Sequence, residues 1–203
     1  MGKVFNKRWI YDKVFFDDFN GTELDTNKWE IFGEEYGSVV VENGELIITQ
    51  NGSGRAGEFL IGIVSKQYFP VGTRFRVRSK ATQGRHSALI GFGAPHYPNY
   101  PHGSNVPALT WYARADNVTS VISMRNENGN TSSNAPSGHN DLREYQIFEF
   151  YRESATSVRI YRNDIEISHN LNTIFHDEYQ FYFSLDGWSN SGVQIKVDWV
   201  EII

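Results

Sequence analysis

Alternation between apolar and polar residues dominates this sequence. From residue 73 to 79 the chain reads TRFRVRS, so that Phe75 and Val77 alternate with three arginines. Because successive side chains of a strand point to opposite faces, this period of two predicts a strand with one buried face and one solvent-exposed face. Residues 87–93, SALIGFG, are more apolar and include three small residues, which is typical of a strand deep in a sheet. We interpret the two runs as a pair of strands in the middle of one large antiparallel sheet.

Shorter runs with similar character predict further strands along the chain. Glu42-Asn43-Gly44-Glu45 separates two apolar runs and predicts a β-hairpin. Residues 108–115 and 118–125 predict two strands joined at Asp116-Asn117, and Arg162-Asn163-Asp164 predicts another turn. No stretch favours a helix of ten residues. The pattern therefore predicts an all-β chain of roughly a dozen short strands.

One segment interrupts this pattern. Residues 94–107, APHYPNYPHGSNVP, hold four prolines and cannot form a regular central strand, because each proline removes a donor from the sheet. Long loops in compact domains are usually functional or disordered, and the tyrosines and histidines here favour an ordered loop. Tyr97 and Tyr100 either form a rim over a bound sugar or pack within the loop itself.

Composition and charge limit the possible functions. The 203 residues are expected to form one domain, 1–203, and the lack of cysteine excludes disulfides and thiolate metal sites. A net charge of −5 without long runs of one sign argues against nucleic acid or an anionic membrane surface as partner. No apolar run approaches the roughly 20 residues of a membrane span. Aromatic residues make up 15% of the chain, which suits a β core and also carbohydrate binding, because the C–H face of a sugar stacks on a ring.

Four short segments together carry a family resemblance. They are FDDFNG at 16–21 followed by Lys28-Trp29, VENGELII at 41–48, GTRFRVR at 72–78 and VDWVEI at 197–202. These segments resemble the opening segment, the first hairpin, a central strand and the closing strand of laminarinase- and lichenase-type glycoside hydrolases. The resemblance implies the concanavalin A-like lectin/glucanase fold, a jelly roll in which two antiparallel sheets form a β-sandwich and the concave face holds sugar.

The chain departs from this family at the catalytic motif. Members that cleave glycans carry E-x-D-x-x-E on the strand after the central pair, and its two glutamates act as nucleophile and as general acid/base. The matching segment here, residues 107–115, reads PALTWYARA and has no carboxylate. The resemblance therefore predicts that hydrolysis of the family type is absent.

The same segment supplies the candidate ligand contacts. Alternation places Thr110, Tyr112 and Arg114 on one face and Trp111 on the other. We expect the more polar set to face the cleft, with Trp111 in the core. Arg125, on the next predicted strand, joins this set. Trp188 lies in a loop beside acidic and amide residues, and we expect it to contact the ligand, although a purely structural role is the alternative.

The resemblance also implies one structural calcium ion. In the family, a carboxylate of the opening segment, a backbone carbonyl near the first hairpin glycine and the aspartate of the closing strand often bind it. The matching positions are Asp18, Gly44 and Asp198, and such hard oxygen ligands suit calcium. The alternative is that both aspartates only accept hydrogen bonds from the backbone.

Three functions remain open from the sequence. The leading hypothesis is a non-catalytic, lectin-like domain that binds a polysaccharide or other glycan. The second is a structural or adhesive domain of a virion, tail fibre or cell surface, and the third is a glycoside hydrolase with relocated carboxylates, such as Asp186 with Glu127. Met1 is followed by polar and aromatic residues rather than by the apolar segment of a signal peptide. We nevertheless expect an extracellular, virion or cell-surface location.

Overall fold

Sixteen strands make up most of the described structure. A computed structural model describes residues 13–51, 61–81, 88–93, 108–114, 119–125, 131–134, 143–154, 157–168, 178–185 and 192–203, and from 88 to 134 it describes the backbone alone. The strands are β1 Phe15–Asp17, β2 Trp29–Phe32, β3 Gly37–Glu42, β4 Glu45–Gln50, β5 Ile61–Ser65, β6 Phe69–Pro70, β7 Arg74–Ala81, β8 Ala88–Gly93, β9 Ala108–Arg114, β10 Thr119–Arg125, β11 Thr131–Asn134, β12 Gln146–Arg152, β13 Val158–Arg162, β14 Ile165–Ser168, β15 Glu178–Leu185 and β16 Gln194–Ile202. The only helix in these residues is a single 3-10 turn, Glu34–Tyr36. No helix in the described ranges is long and apolar enough to cross a membrane.

The strands form two sheets in which every pairing is antiparallel. The first sheet has the order β14-β13-β12-β7-β16-β4-β3, with β1 also paired to β16. The second has the order β11-β10-β9-β8-β15-β5-β2, with β6 also paired to β15. Residues of both sheets share one apolar core, so the sheets stack face to face. The predicted two-sheet, antiparallel β-sandwich is confirmed.

The expected pairing of the two central runs is wrong. Strand β7 lies between β12 and β16 in the first sheet, whereas β8 lies between β9 and β15 in the second. Each strand is central in its own sheet, but the two strands belong to different sheets. The period of a run identifies a strand and its faces, and it carries no information about the partner strand.

Two of the predicted turns are confirmed, and the third, at Asp116-Asn117, lies outside the described residues. Strands β3 and β4 pair from Glu42 and Glu45 outward, and the two residues between them, Asn43 and Gly44, have φ of 53° and 75°. Positive φ at both central residues is the type I′ geometry, whose twist matches that of the flanking strands. Asn163 and Asp164 repeat this arrangement between β13 and β14, with φ of 48° and 65°.

Aromatic rings from both sheets fill the centre of the core. Phe75 of β7 stacks on Phe181 of β15 with ring centroids 5.2 Å apart and planes inclined by 15°. Phe69 packs edge-on against Phe75, and Phe183 packs edge-on against Phe181. Such aromatic pairs contribute about 0.5–1.5 kcal/mol beyond the area that they bury. These contacts fix the inward faces of β7 and β15.

The opening segment is anchored by a tryptophan. Trp29 is 1% exposed, and its indole Nε1 donates a hydrogen bond of 2.8 Å to Asp17 Oδ2. Asp17 Oδ1 accepts from the backbone N–H of Phe19 at 3.0 Å, and Lys28 Nζ lies 3.6 Å from Asp17 Oδ2. The buried carboxylate therefore has partners on both oxygens. Leu24, which is partly buried, packs against the core.

We predict that Gly37→Ala destabilises the fold. A Cβ at Gly37 would lie 2.0 Å from the carbonyl oxygen of Thr49 on β4, although the extended backbone at this position, with φ of 177°, would accept any residue. The strand pair must therefore shift, and we expect the free energy of unfolding to fall by about 1–3 kcal/mol, as for other overpacked sites. Urea unfolding measures the change. Ser38→Ala, at the adjacent exposed position, is the control and should leave the midpoint nearly unchanged; equal midpoints for the two variants would contradict the steric argument.

Candidate functional site

Backbone register divides the second sheet into an inward and an outward face. Phe183 is fully buried in the core. It pairs with Ile90 of β8, which in turn pairs with Trp111 of β9, so position 111 lies on the inward face. Position 112 lies on the opposite face, in register with Leu89. The side chains of β9 are outside the described part of the structure, and the assignment of Tyr112 to the cleft stays a prediction.

The backbone places the other two predicted strand positions on the same outward face. Position 114 is two residues beyond 112 and pairs with Thr119 of β10. Position 125, at the other end of β10, pairs with Ala108, which is four residues from 112 and therefore also outward. Arg114 and Arg125 are thus separated by six residues along the strands, or about 20 Å. We call the outward positions of β8, β9 and β10 the candidate face.

Carboxylates are scarce in the strands of the second sheet. Strands β8 to β11 contain no Asp or Glu, and the only acids in the other described strands of this sheet are Glu30 of β2 and Glu178 of β15. Glu30 pairs with Val64, which pairs with Tyr182, so Glu30 lies two strands across and four residues along from Glu178. Strand spacing separates the two positions by about 17 Å. The paired carboxyl groups of glycosidases are ~5 to 9.5 Å apart, so these two glutamates do not form such a pair.

The remaining predicted ligand contacts are in loops. Tyr97, Tyr100 and Trp188 all lie outside the described residues. The same holds for Asp186 and Glu127, the alternative pair of acids. Their roles stay predictions.

The three positions of the predicted calcium site converge in the fold. Asp18 follows Asp17, which pairs with Val200 of β16, and Asp198 lies at an irregularity in β16 just before that pair. Asn20 connects Asp18 to the hairpin: its Nδ2 donates to Asp18 Oδ2 at 2.7 Å, and its Oδ1 is 3.2 Å from where a Cβ on Gly44 would lie. Both carboxylates and the Gly44 carbonyl supply hard oxygen donors of the kind that calcium takes.

These donors already have partners in the protein. Arg78 Nη1 donates a hydrogen bond to Asp198 Oδ2, and Asn20 holds Asp18. The described residues include no group of three or more Asp, Glu or His side chains arranged to hold a metal ion. An ion at this site would therefore take most of its ligands from backbone carbonyls and would compete with Arg78 for Asp198.

Sequence reasoning missed a charged network on the outward face of the first sheet. Arg76 of β7 is its centre: its guanidinium lies 3.0 Å from Glu149 of β12, 2.9 Å from Glu201 of β16 and 3.2 Å from Asp164 in the β13–β14 turn. Arg74 also pairs with Glu149, at 2.9 Å. The alternating arginines of β7 were the visible signal, but their partners come from distant segments of the chain.

Burial changes the acidity of two groups in this face. It raises the pKa of Glu149 above its ordinary value, an effect that the guanidinium groups of Arg74 and Arg76 oppose. It also raises the pKa of Tyr145, whose hydroxyl donates a hydrogen bond to Glu45. Arg78 and Lys80 each lie 4.3 Å from the centre of the Tyr145 ring. Ion pairs, hydrogen bonds and cation–π contacts between side chains on this face thus connect strands β4, β7, β12 and β16.

Solved structures share this fold at low sequence identity. No family model matches the sequence, and neither does any curated protein. A β-glucanase of Bacillus licheniformis aligns with a TM-score of 0.72 and 14% identity, covering 93% of this chain and 96% of that one. An endo-β-1,3-glucanase from Pyrococcus furiosus aligns at 0.70 and 14%, covering 94% and 93%, and a laminarinase from Flavobacterium at 0.70 and 14%, covering 94% and 99%. These similarities confirm the predicted concanavalin A-like jelly roll, and at such identity they show the fold alone.

Proposed function

We propose that this protein binds a glycan without cleaving it, through the candidate face on the second sheet. The observation that carries the proposal is the composition of that face. Strands β8, β9 and β10 have no carboxylate, although the protein shares its fold with β-glucanases. Two positioned carboxyl groups are what glycoside hydrolysis requires. Stacking rings and hydrogen-bond donors are what sugar binding requires, and this face retains both residue types.

Tyr112 and Arg114 form the centre of the proposed site. They are two residues apart on β9, so their Cα atoms are about 7 Å apart on one face. A phenol ring can stack on a pyranose, while a guanidinium donates several hydrogen bonds in a planar fork to neighbouring hydroxyl groups. Position 91, in register with Thr110 beside them, is a glycine, which leaves room for a ligand over the sheet.

A second candidate is a glycoside hydrolase with relocated carboxylates. What favours it is that the solved structures of this fold named above are glucanases and a laminarinase. Fold by itself does not decide between binding and cleavage, because unrelated functions share one architecture. The acids would then come from the loops, with Asp186 and Glu127 as the pair.

We predict no hydrolysis of laminarin, lichenan, agarose or carrageenan. The reason is the absence of a carboxylate pair on the strands of the candidate face. Release of reducing sugar over prolonged incubation is the measurement. Turnover that disappears in Asp186→Asn or Glu127→Gln would show the hydrolase alternative to be right.

We predict that Tyr112→Ala and Trp188→Ala weaken binding of a glycan found on a glycan array. Loss of a stacked aromatic ring should reduce the binding free energy by about 1–3 kcal/mol, which titration calorimetry resolves. Tyr151→Ala is the control, because Tyr151 lies under Arg74 on the first sheet, where no ligand is proposed. Equal affinities for the wild type and both test variants would refute the site, and no binding to any glycan would favour the structural or adhesive alternative.

We further propose one structural calcium ion near Asp18, the Gly44 carbonyl and Asp198. The convergence of the three positions supports it. Chelation by EDTA should lower the melting temperature, because an ion that binds only the folded state stabilises it by mass action.

The competition with Arg78 sharpens this calcium test. In Arg78→Met, Asp198 loses its hydrogen-bond partner, so added calcium should raise the melting temperature more than it does in the wild type. If neither EDTA nor added calcium changes the melting temperature of either protein, the result would count against a bound calcium ion.

A further inference from the structure

Arginines on the outward face of the first sheet meet carboxylates on neighbouring strands. Arg74 lies 2.9 Å from Glu149, Arg76 lies 2.9 Å from Glu201, and Arg78 donates to Asp198. Since β7 lies between β12 and β16, each of its three outward arginines has an acid on an adjacent strand. Ligand binding by this face would require one of these pairs to break.

The strand arginines of the second sheet have a different setting. Arg114 pairs in register with Thr119, and Arg125 lies between Ala108 on one side and Thr131 on the other. Within the described strands β8 to β11 no Asp or Glu exists that could neutralise either residue. The nearest acids along the chain, Asp116 after Arg114 and Glu127 after Arg125, lie outside these strands. Within the described strands, the sheet therefore has two cationic positions whose cross-strand neighbours are uncharged, on a chain whose overall charge is −5.

We propose that the glycan bound at the candidate face carries anionic groups, either sulfate esters or carboxylates. This proposal rests on the proposed glycan-binding function and specifies its ligand class. Guanidinium matches the planar geometry of carboxylate and the oxygens of sulfate through paired, charge-assisted hydrogen bonds. Arg114 and Arg125 are separated by about 20 Å along the strands, too far for one monosaccharide to reach both, so the ligand is an extended chain with repeated charges.

Matched polysaccharide pairs test the ligand class on the full chain. The sulfate pair is carrageenan and its desulfated form, and the carboxylate pair is polygalacturonate and its methyl ester. Affinity electrophoresis should show retardation by the charged member of at least one pair and much less by the neutral member. The pair that responds identifies which anion is bound. Retardation should also weaken as salt rises, because exposed charges are screened.

Arginine variants test the position of the site. Arg114→Gln and Arg125→Gln should each weaken binding of the charged polymer about ten- to a hundred-fold, the range for losing a hydrogen bond to a charged group. Arg159→Gln, which removes the same charge from the first sheet, where Arg159 pairs with Glu153 at 3.0 Å, should leave binding unchanged. Thermal melting of all three variants checks that they fold.

The outcomes separate the two proposals. Equal retardation by charged and neutral polymers would overturn the anionic ligand while leaving glycan binding intact. A preference for charged polymer that survives both variants at Arg114 and Arg125 would overturn the assignment of these residues. The absence of binding to all four polymers and to every glycan on an array would overturn the proposed function and this inference with it.

Discussion

Contact between the two sheets through Phe75 and Phe181 is the interaction on which the rest of this structure depends. The two rings belong to central strands of opposite sheets and stack at 5.2 Å in the middle of the core. Because side chains alternate along a strand, an inward Phe75 requires Arg74 and Arg76 to point outward. An inward Phe181 fixes the outward positions of β15 in the same way, and the register carries this choice to β8, β9 and β10. Packing of the core thus decides which residues are available for function.

The two outward faces use charge in opposite ways. On the first sheet, Arg76 is surrounded by Glu149, Glu201 and Asp164, and the network links four segments of the chain. Single ion pairs at a surface contribute little to stability, but these partly buried pairs share Arg76 and so link strands β7, β12 and β16 in one network. On the second sheet, Arg114 and Arg125 have uncharged cross-strand neighbours. This difference in charge pairing distinguishes the outward face of the second sheet, which we propose binds ligand, from that of the first sheet, where the charged side chains pair with one another.

The same backbone that supports hydrolysis in a β-glucanase can support binding alone. A strand in the middle of a sheet holds its side chains in defined directions, which serves a catalytic carboxylate pair and a stacking ring equally well. In the proposed site, Tyr112 and Arg114 take outward positions of β9, a strand without a carboxylate, so the proposal is for binding rather than bond cleavage. The proposed function therefore depends on a few positions of β9 and its neighbours, and the fold by itself does not determine it.

Local features of the chain were predictable from the sequence because short-range physics governs them. Alternation in residues 73–79 predicted the strand β7 and its two faces, and Asn43-Gly44 predicted its hairpin because only residues that tolerate positive φ form a type I′ turn. The sequence also predicted that Tyr112 and Arg114 share a face. It failed to predict that β7 and β8 lie in different sheets.

Tertiary structure alone decided pairings between distant segments. Strand β7 lies between β12 and β16, far along the chain, and the partners of its arginines, Glu149 and Glu201, come with those strands. Likewise, alternation left open which face of β9 is outward, and the register with Phe183 decided it. A period of two specifies that neighbouring side chains diverge, whereas the choice of inward face depends on which aromatic rings meet across the core. That contact joins residues too far apart in sequence for any local pattern to record.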